Sequence, residues 1–220
     1  MTANVNCLPK YTREEEIHNS VSHFIGALFA LSTLILFIIL GVIKHYSFVY
    51  MIPYYFYSLG MLLMFFVSGF YHSRPFNSLA RARARLIDHC DIYIFVAATY
   101  FPICIYGISN QPISITLLSM QVGLALIGVI LNLLPYESRL LSLSTFLIYI
   151  VQGWAIIFFY PFNTGLSFNS FLFILIGGIV YTLGAIMYAI GHYKRWSHTI
   201  FHIFVLLAAI IQFVGILLLI

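Results

Sequence analysis

Five stretches of this 220-residue chain contain no Asp, Glu, Lys or Arg, and their lengths constrain the fold more than any other feature. They run from 17 to 43, 45 to 73, 92 to 136, 140 to 193 and 196 to 220. A membrane-spanning helix needs about 20 predominantly apolar residues, so the third and fourth stretches each have room for two. The sequence therefore predicts an all-α, polytopic membrane protein, a bundle of seven transmembrane helices.

Composition agrees with this class and argues against a soluble protein. Hydrophobic residues make up 62% of the chain and charged residues 7%, whereas soluble domains carry about 25% charged residues. The net charge of +4 does not indicate nucleic acid as a partner, because the basic residues lie in short connections between apolar stretches. The three cysteines, Cys7, Cys90 and Cys104, are too far apart to predict a thiolate zinc site or a disulfide framework.

The spans can be placed approximately from these stretches and from two breaks inside the longest of them. Turn-forming residues and a proline occur at 109–112 and at 161–165. The expected spans are therefore 20–43, 48–72, 86–108, 113–134, 139–160, 167–190 and 198–219. Residues 1–19 are expected to be an N-terminal tail, and residues 20–220 a single transmembrane domain.

The basic residues predict the orientation. With seven spans, nine of the ten basic residues fall on the side of the N-terminal tail and only Lys44 falls on the other. Positive charge in short loops accumulates on the cytoplasmic side. The tail is therefore expected in the cytoplasm.

Histidines at the ends of two spans predict a metal site. His198 and His202 are four residues apart at the start of the last span, so they share one helix face. His72 ends the second span and Asp88 begins the third. The alternating direction of the spans places all four side chains at one depth, near the cytoplasmic surface. The competing interpretation is that these histidines reach individually toward lipid headgroups and bind no metal.

Three neutral imidazoles with an open fourth position are typical of a catalytic zinc site. Zn²⁺ is the expected cofactor, although nitrogen ligands suit other metals too. Zinc lowers the pKa of its bound water to about 7, and Asp88 is positioned to accept a proton from that water or to orient it. Asp91, three residues deeper on nearly the same face, fits this role equally well. Ser68 precedes His72 by one helical turn, where it can hydrogen-bond a ligand or a neighbouring side chain.

The remaining histidines serve as a comparison group. His23 lies inside the first span and is either an outer partner of the site or a packing residue. His89 follows Asp88 directly, so it should point about 100° away from it around the helix. The others lie at or beyond the ends of spans and are expected in solvent: His18, His45 and His192.

Several short motifs resemble those of hemolysin III proteins, a branch of the wider progestin and adipoQ receptor superfamily. They occupy 19–26, 68–73, 88–89, 98–102, 183–185 and 198–202, and so extend over most of the chain. The resemblance implies seven helices, a cytoplasmic N-terminus and zinc held by His72, His198 and His202. It also implies that Asp88, rather than Asp91, lies beside the metal-bound water. Two positions depart from the pattern: Phe101 replaces a small polar residue, and Gln212 replaces a frequent histidine.

Eukaryotic members of this superfamily look like adiponectin-type receptors with ceramidase activity. We therefore expect a multi-pass protein of a bacterial plasma membrane that hydrolyses a ceramide-like amide or ester with Asp88 and Ser68, as part of membrane-lipid homeostasis. Membrane lipid is the expected partner. The alternative is a non-enzymatic regulator or receptor stabilised by zinc, or a haemolysin that perturbs membranes. A transporter is disfavoured, because the chain has neither a mid-span charge nor a visible repeat.

Overall fold

The computed structural model of the chain describes residues 11–134, 138–160, 165–190 and 194–220. Within these ranges the chain forms seven α-helices, each long and apolar enough to cross a membrane. They are α1 Arg13–Ile43, α2 Phe48–Ser73, α3 Leu79–Pro102, α4 Gln111–Leu133, α5 Arg139–Phe159, α6 Phe168–Ile190 and α7 Ser197–Leu217. The predicted all-α, seven-helix membrane bundle is confirmed, and the protein is a multi-pass integral membrane protein.

Helices α1 and α3 each begin seven residues before the expected span, because each has its own N-terminal cap. The Thr12 hydroxyl accepts a hydrogen bond from the Glu15 backbone N–H, and the Glu15 carboxylate accepts one from the Thr12 N–H at 2.8 Å. This reciprocal capping box starts α1 at Arg13. The Ser78 hydroxyl caps α3 by accepting a hydrogen bond from the Arg81 N–H at 3.1 Å. Charged residues that precede the expected spans therefore lie on helices, with fixed directions.

The break predicted at 109–112 is present. The Asn110 side chain caps α4 by accepting from the Ile113 N–H at 3.2 Å, and Pro112 lies in the first turn of that helix. Before the break, α3 widens after Pro102 into a π-helical turn, Ile103–Gly107, where a regular span to residue 108 was expected. Most of the second predicted break, residues 161–164, lies outside the described residues.

The helices alternate in direction, and the pairs α1–α2, α2–α3 and α6–α7 pack along most of their lengths. Helix α1 also contacts α7. Helix α5 packs against α4 and meets α6 through side chains, where the Trp154 indole N–H donates to the Thr182 hydroxyl at 3.1 Å. The starts of α1, α3 and α7 and the end of α2 meet at one end of the bundle, which we call the site end. At the opposite end the Lys44 ammonium donates to the carbonyl of Ile220 at 2.9 Å. A cytoplasmic location of the site end stays a prediction.

A close approach of α1 and α2 lies just below the site end. The fully buried Phe65 ring packs against the backbone of Gly26, where a Cβ atom would overlap the ring. The same ring contacts His23 edge-on, with the centroids 5.3 Å apart. Ser20 donates a hydrogen bond to the Gly69 carbonyl at 2.9 Å and joins the two helices again. These contacts fix α1 against α2 where both carry site residues.

Candidate metal centre

Helix α7 starts at a turn that is held by α1. Trp196 adopts a left-handed backbone conformation with φ 68°, and its N–H donates to the Glu15 carboxylate at 2.8 Å. The helix then begins at Ser197, so His198 and His202 lie in its first two turns and face the bundle interior. Their Nε2 atoms are 2.9 Å apart.

His72, in the last turn of α2, completes the group. Its Nε2 atom lies 3.4 Å from Nε2 of His198, and all three rings are buried. One ring nitrogen from each histidine lies within 4.8 Å of the others. Nitrogen ligands about 2.0–2.1 Å from a tetrahedral ion stand roughly 3.3 Å apart, so this spacing suits one metal ion. The predicted convergence of His72, His198 and His202 is confirmed, and the three can hold a metal ion.

The second ring nitrogen of His72 is held by a carboxylate. Nδ1 of His72 lies 2.7 Å from Oε2 of Glu16, and the Arg81 guanidinium donates to the other oxygen of that carboxylate. Arg81 is fully buried, also donates to the Arg74 carbonyl at 3.1 Å, and stacks over Tyr71. Such a carboxylate keeps the proton on Nδ1 of the imidazole and leaves the Nε2 lone pair for a metal.

His202 has an analogous partner. Its Nδ1 atom lies 3.1 Å from Nδ1 of His23, and the two ring centroids are 3.9 Å apart. When Nε2 of His202 faces a metal ion, its Nδ1 carries the proton and donates to His23. Of the two roles considered for His23, this contact favours that of an outer partner.

Tyr11 covers the three histidines on the side that faces the site end of the bundle. Its ring stacks on that of His198, with the ring centroids 4.5 Å apart. Burial raises the pKa of the Tyr11 phenol above its ordinary value, so the group stays neutral at physiological pH. Tyr11 therefore shields the imidazoles from bulk water without bringing a negative charge to them.

Asp88 and Ser68 lie on the inner side of the histidines. His89 and Ser68 interact with the Asp88 carboxylate, and Nδ1 of His89 is 3.6 Å from Oδ2 of Asp88. Contrary to the expectation from helix geometry, His89 turns back toward Asp88 instead of pointing away from it. Asp88, Ser68 and His89 line the same cavity as His198 and His202.

The two candidate carboxylates have different environments. Asp88 lines the cavity and is 14% exposed, whereas Asp91 is 1% exposed and does not belong to the cavity lining. Within the described ranges neither oxygen of Asp91 has a hydrogen-bond partner. This arrangement favours Asp88 as the group that faces a substrate. The catalytic role of either residue stays a prediction.

The cavity itself has a volume of about 250 Å³ and extends from the histidines into the centre of the bundle. Along α3 its lining runs from Arg85 to Ile103, roughly 27 Å at 1.5 Å per residue. Beyond the polar site end its wall is mainly apolar and aromatic, with Met64, Phe95, Ile174 and Val205 among the lining residues. Its shape suits a long apolar chain with one end at the histidines.

The model of a family described as haemolysin-III related matches residues 11–213 of this chain. The chain belongs to this family. It is 31% identical over 207 residues to Hemolysin-3 of Bacillus cereus, a match that covers 94% of this chain and 91% of that protein. It is 33% identical over 197 residues to the Hemolysin-3 homolog of Bacillus subtilis (strain 168), covering 89% and 90% of the two chains.

A more distant relative links this haemolysin-III family member to the wider superfamily. The Adiponectin receptor protein of Drosophila melanogaster is 26% identical over 179 residues, which is 72% of this chain and 40% of that protein. The resemblance noted from the short motifs is therefore confirmed.

The structure also locates the other histidines and the two residues that depart from the family pattern. His18 and His45 are exposed, and His192 lies outside the described residues. Phe101, one of the two departures from the family pattern, stacks on Phe56 with the centroids 5.4 Å apart. Gln212, the other departure, lines the deep end of the cavity.

Sequence reasoning missed Glu16 and Arg81, because it assigned Glu16 to the N-terminal tail and Arg81 to the basic connection between the second and third spans. A signal for Glu16 was present: it precedes His23 by seven residues, two helical turns, so both lie on one face of α1. Arg81 had no comparable signal, because nothing in its spacing distinguishes it from Arg83 or Arg85.

Proposed function

We propose that this protein is a metal-dependent hydrolase that cleaves an amide or ester bond of a membrane lipid, with zinc as its ion. The observation that carries the proposal is that two of the three convergent imidazoles, those of His198 and His202, line one apolar cavity together with the carboxylate of Asp88. A divalent ion of this kind, when bound, polarises a carbonyl and makes water more acidic. Side chains of the protein carry out the other steps.

Asp88 is the proposed proton carrier. Its carboxylate faces the cavity beside the histidines, so it can take a proton from the attacking water and return it to the leaving group. Ser68 and His89 orient that carboxylate. Glu16 and His23 orient His72 and His202 through their Nδ1 atoms.

The cavity supports a lipid as the substrate. Residues of α5 and α6 form much of its wall, and the backbones of these two helices come close together at few positions. A lipid chain can therefore reach the interior sideways from the bilayer, with its polar end held at the site end. In this arrangement the scissile bond lies close to the histidines and away from bulk water.

The test is a comparison of metal content and turnover. Protein purified without chelator is expected to contain metal and to hydrolyse amide-linked or ester-linked lipids in neutral detergent. Asp88→Asn should lower turnover by about 10²–10⁴-fold while the metal content stays unchanged. Unchanged turnover in both Asp88→Asn and His202→Ala would overturn the proposal.

The second candidate is a non-enzymatic protein that perturbs membranes, and the names of the two Bacillus relatives favour it. In that case the metal ion only joins α2 to α7. Liposomes that hold the metal-loaded protein should then leak an entrapped dye, and Asp88→Asn should leave the leakage unchanged. Absence of leakage would exclude this candidate.

A further inference from the structure

Three arginines near the start of α3 lie in three different environments. Arg81 is buried and paired with Glu16, and Arg83 is exposed. Arg85 is half-buried and lines the cavity together with Asp88 and His198. A chain that needs positive charge only for orientation has no reason to place one arginine in the wall of its central cavity.

Arg85 lacks an anionic partner of its own. Among the residues that the structure describes, no carboxylate lies within ion-pair distance of its guanidinium, and it makes no hydrogen bond. The phenols of Tyr11, Tyr71 and Tyr188 line the same cavity as Arg85. A partly buried cation without a counter-ion is unfavourable, and an incoming anion would relieve that cost.

The position of Arg85 indicates which part of a ligand carries the anion. It lies one helical turn before Asp88, at the site end of the cavity, whereas the described lining of the deep end near Ile103 contains no charged residue. A ligand with its chain in the deep end therefore presents its headgroup to Arg85. The neutral hydroxyls of Tyr11 and Tyr71, which line the same cavity, are additional donors for oxygen atoms of such a headgroup.

We propose that the cavity selects lipids with a negatively charged headgroup, and that Arg85 recognises the charge. This inference rests on the proposed function for the location of the substrate, and it adds the class of substrate: an anionic amphiphile. Phosphate and carboxylate share the required chemistry, because the guanidinium fork matches two oxygens of either group.

The experiment measures binding without turnover. Native mass spectrometry of the full-length protein in neutral detergent compares hexadecyl phosphate, palmitate and hexadecanol, both with zinc and after chelation. The chelated sample separates attraction by Arg85 from attraction by the metal ion. We expect at least one of the anions to bind about tenfold more tightly than hexadecanol. A preference for hexadecyl phosphate points to a phospholipid-type headgroup, and a preference for palmitate points to a fatty-acid carboxylate.

Arg85→Gln should remove this preference and leave hexadecanol binding unchanged, whereas Arg83→Gln, the matched exposed control, should retain it. Arg85→Lys should keep part of the preference, because it keeps the charge. Absence of any preference in the unaltered protein, or a preference that survives in Arg85→Gln, would overturn the inference. A protein that binds anions through Arg85 but hydrolyses no lipid would overturn the proposed function instead.

Discussion

Oε2 of Glu16 lies 2.7 Å from Nδ1 of His72, a contact between residues 56 positions apart in the sequence. The contact brings the first turn of α1 to the last turn of α2. Because Arg81 donates to the same carboxylate, the pair extends to α3. One glutamate therefore connects three helices and sets the orientation of one of the three convergent imidazoles.

Glu16→Gln should weaken metal binding. The amide keeps the shape of the side chain but loses the negative charge that makes His72 more basic, and loss of such an outer partner lowers metal affinity by about 10–100-fold. Competition with a chromophoric chelator measures the change. Glu14→Gln is the control, because Glu14 is exposed and pairs with the exposed Arg195. Equal affinities of the two variants would contradict the role given to Glu16.

Removal of the metal should destabilise the unaltered protein, because an ion that binds only the folded state stabilises that state by mass action. The stabilisation is about 2.7 kcal/mol when the free ion is present at about 100 times its Kd. A chelator should therefore lower the thermal unfolding midpoint. In His202→Ala the midpoint should no longer respond to chelator, because one of three ligands is missing. His45→Ala, at an exposed histidine, should respond as the unaltered protein does. A chelator response that persists in His202→Ala would place the ion elsewhere.

Asp91→Asn should preserve turnover and change the free energy of unfolding by less than about 1 kcal/mol. Both oxygens of Asp91 are buried without a hydrogen-bond partner in the described ranges, and the amide of Asn has the same shape and would also be buried there without a partner. Thermal unfolding and lipid turnover, measured beside Asp88→Asn, check both expectations. A larger loss of turnover in Asp91→Asn than in Asp88→Asn would reverse the assignment of the two carboxylates.

Gly26→Ala should lower the free energy of unfolding by about 1–3 kcal/mol, because the added methyl group overlaps the Phe65 ring and overpacks the core. Phe65 cannot move freely, since its ring also contacts His23. Gly123→Ala, where an added Cβ meets no atom within 4 Å, should instead stabilise α4 by up to about 1 kcal/mol. Chemical denaturation in detergent compares the two, and similar effects would refute the close approach of α1 and α2.

The helices and the three convergent histidines could be predicted because both depend on simple regularities. Uncharged stretches of sufficient length require spans, and the alternating direction of spans places His72 and His198 at the same depth. Spacing alone could not choose between Asp88 and Asp91, because adjacent turns of one helix face differ little. Only the packed helices show which of the two carboxylates borders the cavity.

Other features depended on contacts that no local pattern encodes. Glu16 looks like part of a solvated acidic run, yet α1 begins at Arg13 and directs this carboxylate inward. Arg85 looks like a topology signal, yet its helix position directs it into the cavity. The π-helical turn after Pro102 likewise interrupts an apolar stretch that shows no break before residue 109.

The left-handed turn at Trp196, whose N–H donates to Glu15, has a bearing on biogenesis. Translation releases α1 and α2 before α7, so the imidazoles of His198 and His202 join the nascent protein only after His72 has been made. Until α7 is present, the Glu15 carboxylate lacks the hydrogen bond from the Trp196 N–H, and His72 lacks the imidazoles of His198 and His202. A metal ion that needs all three imidazoles can therefore bind only after α7 has inserted beside α2.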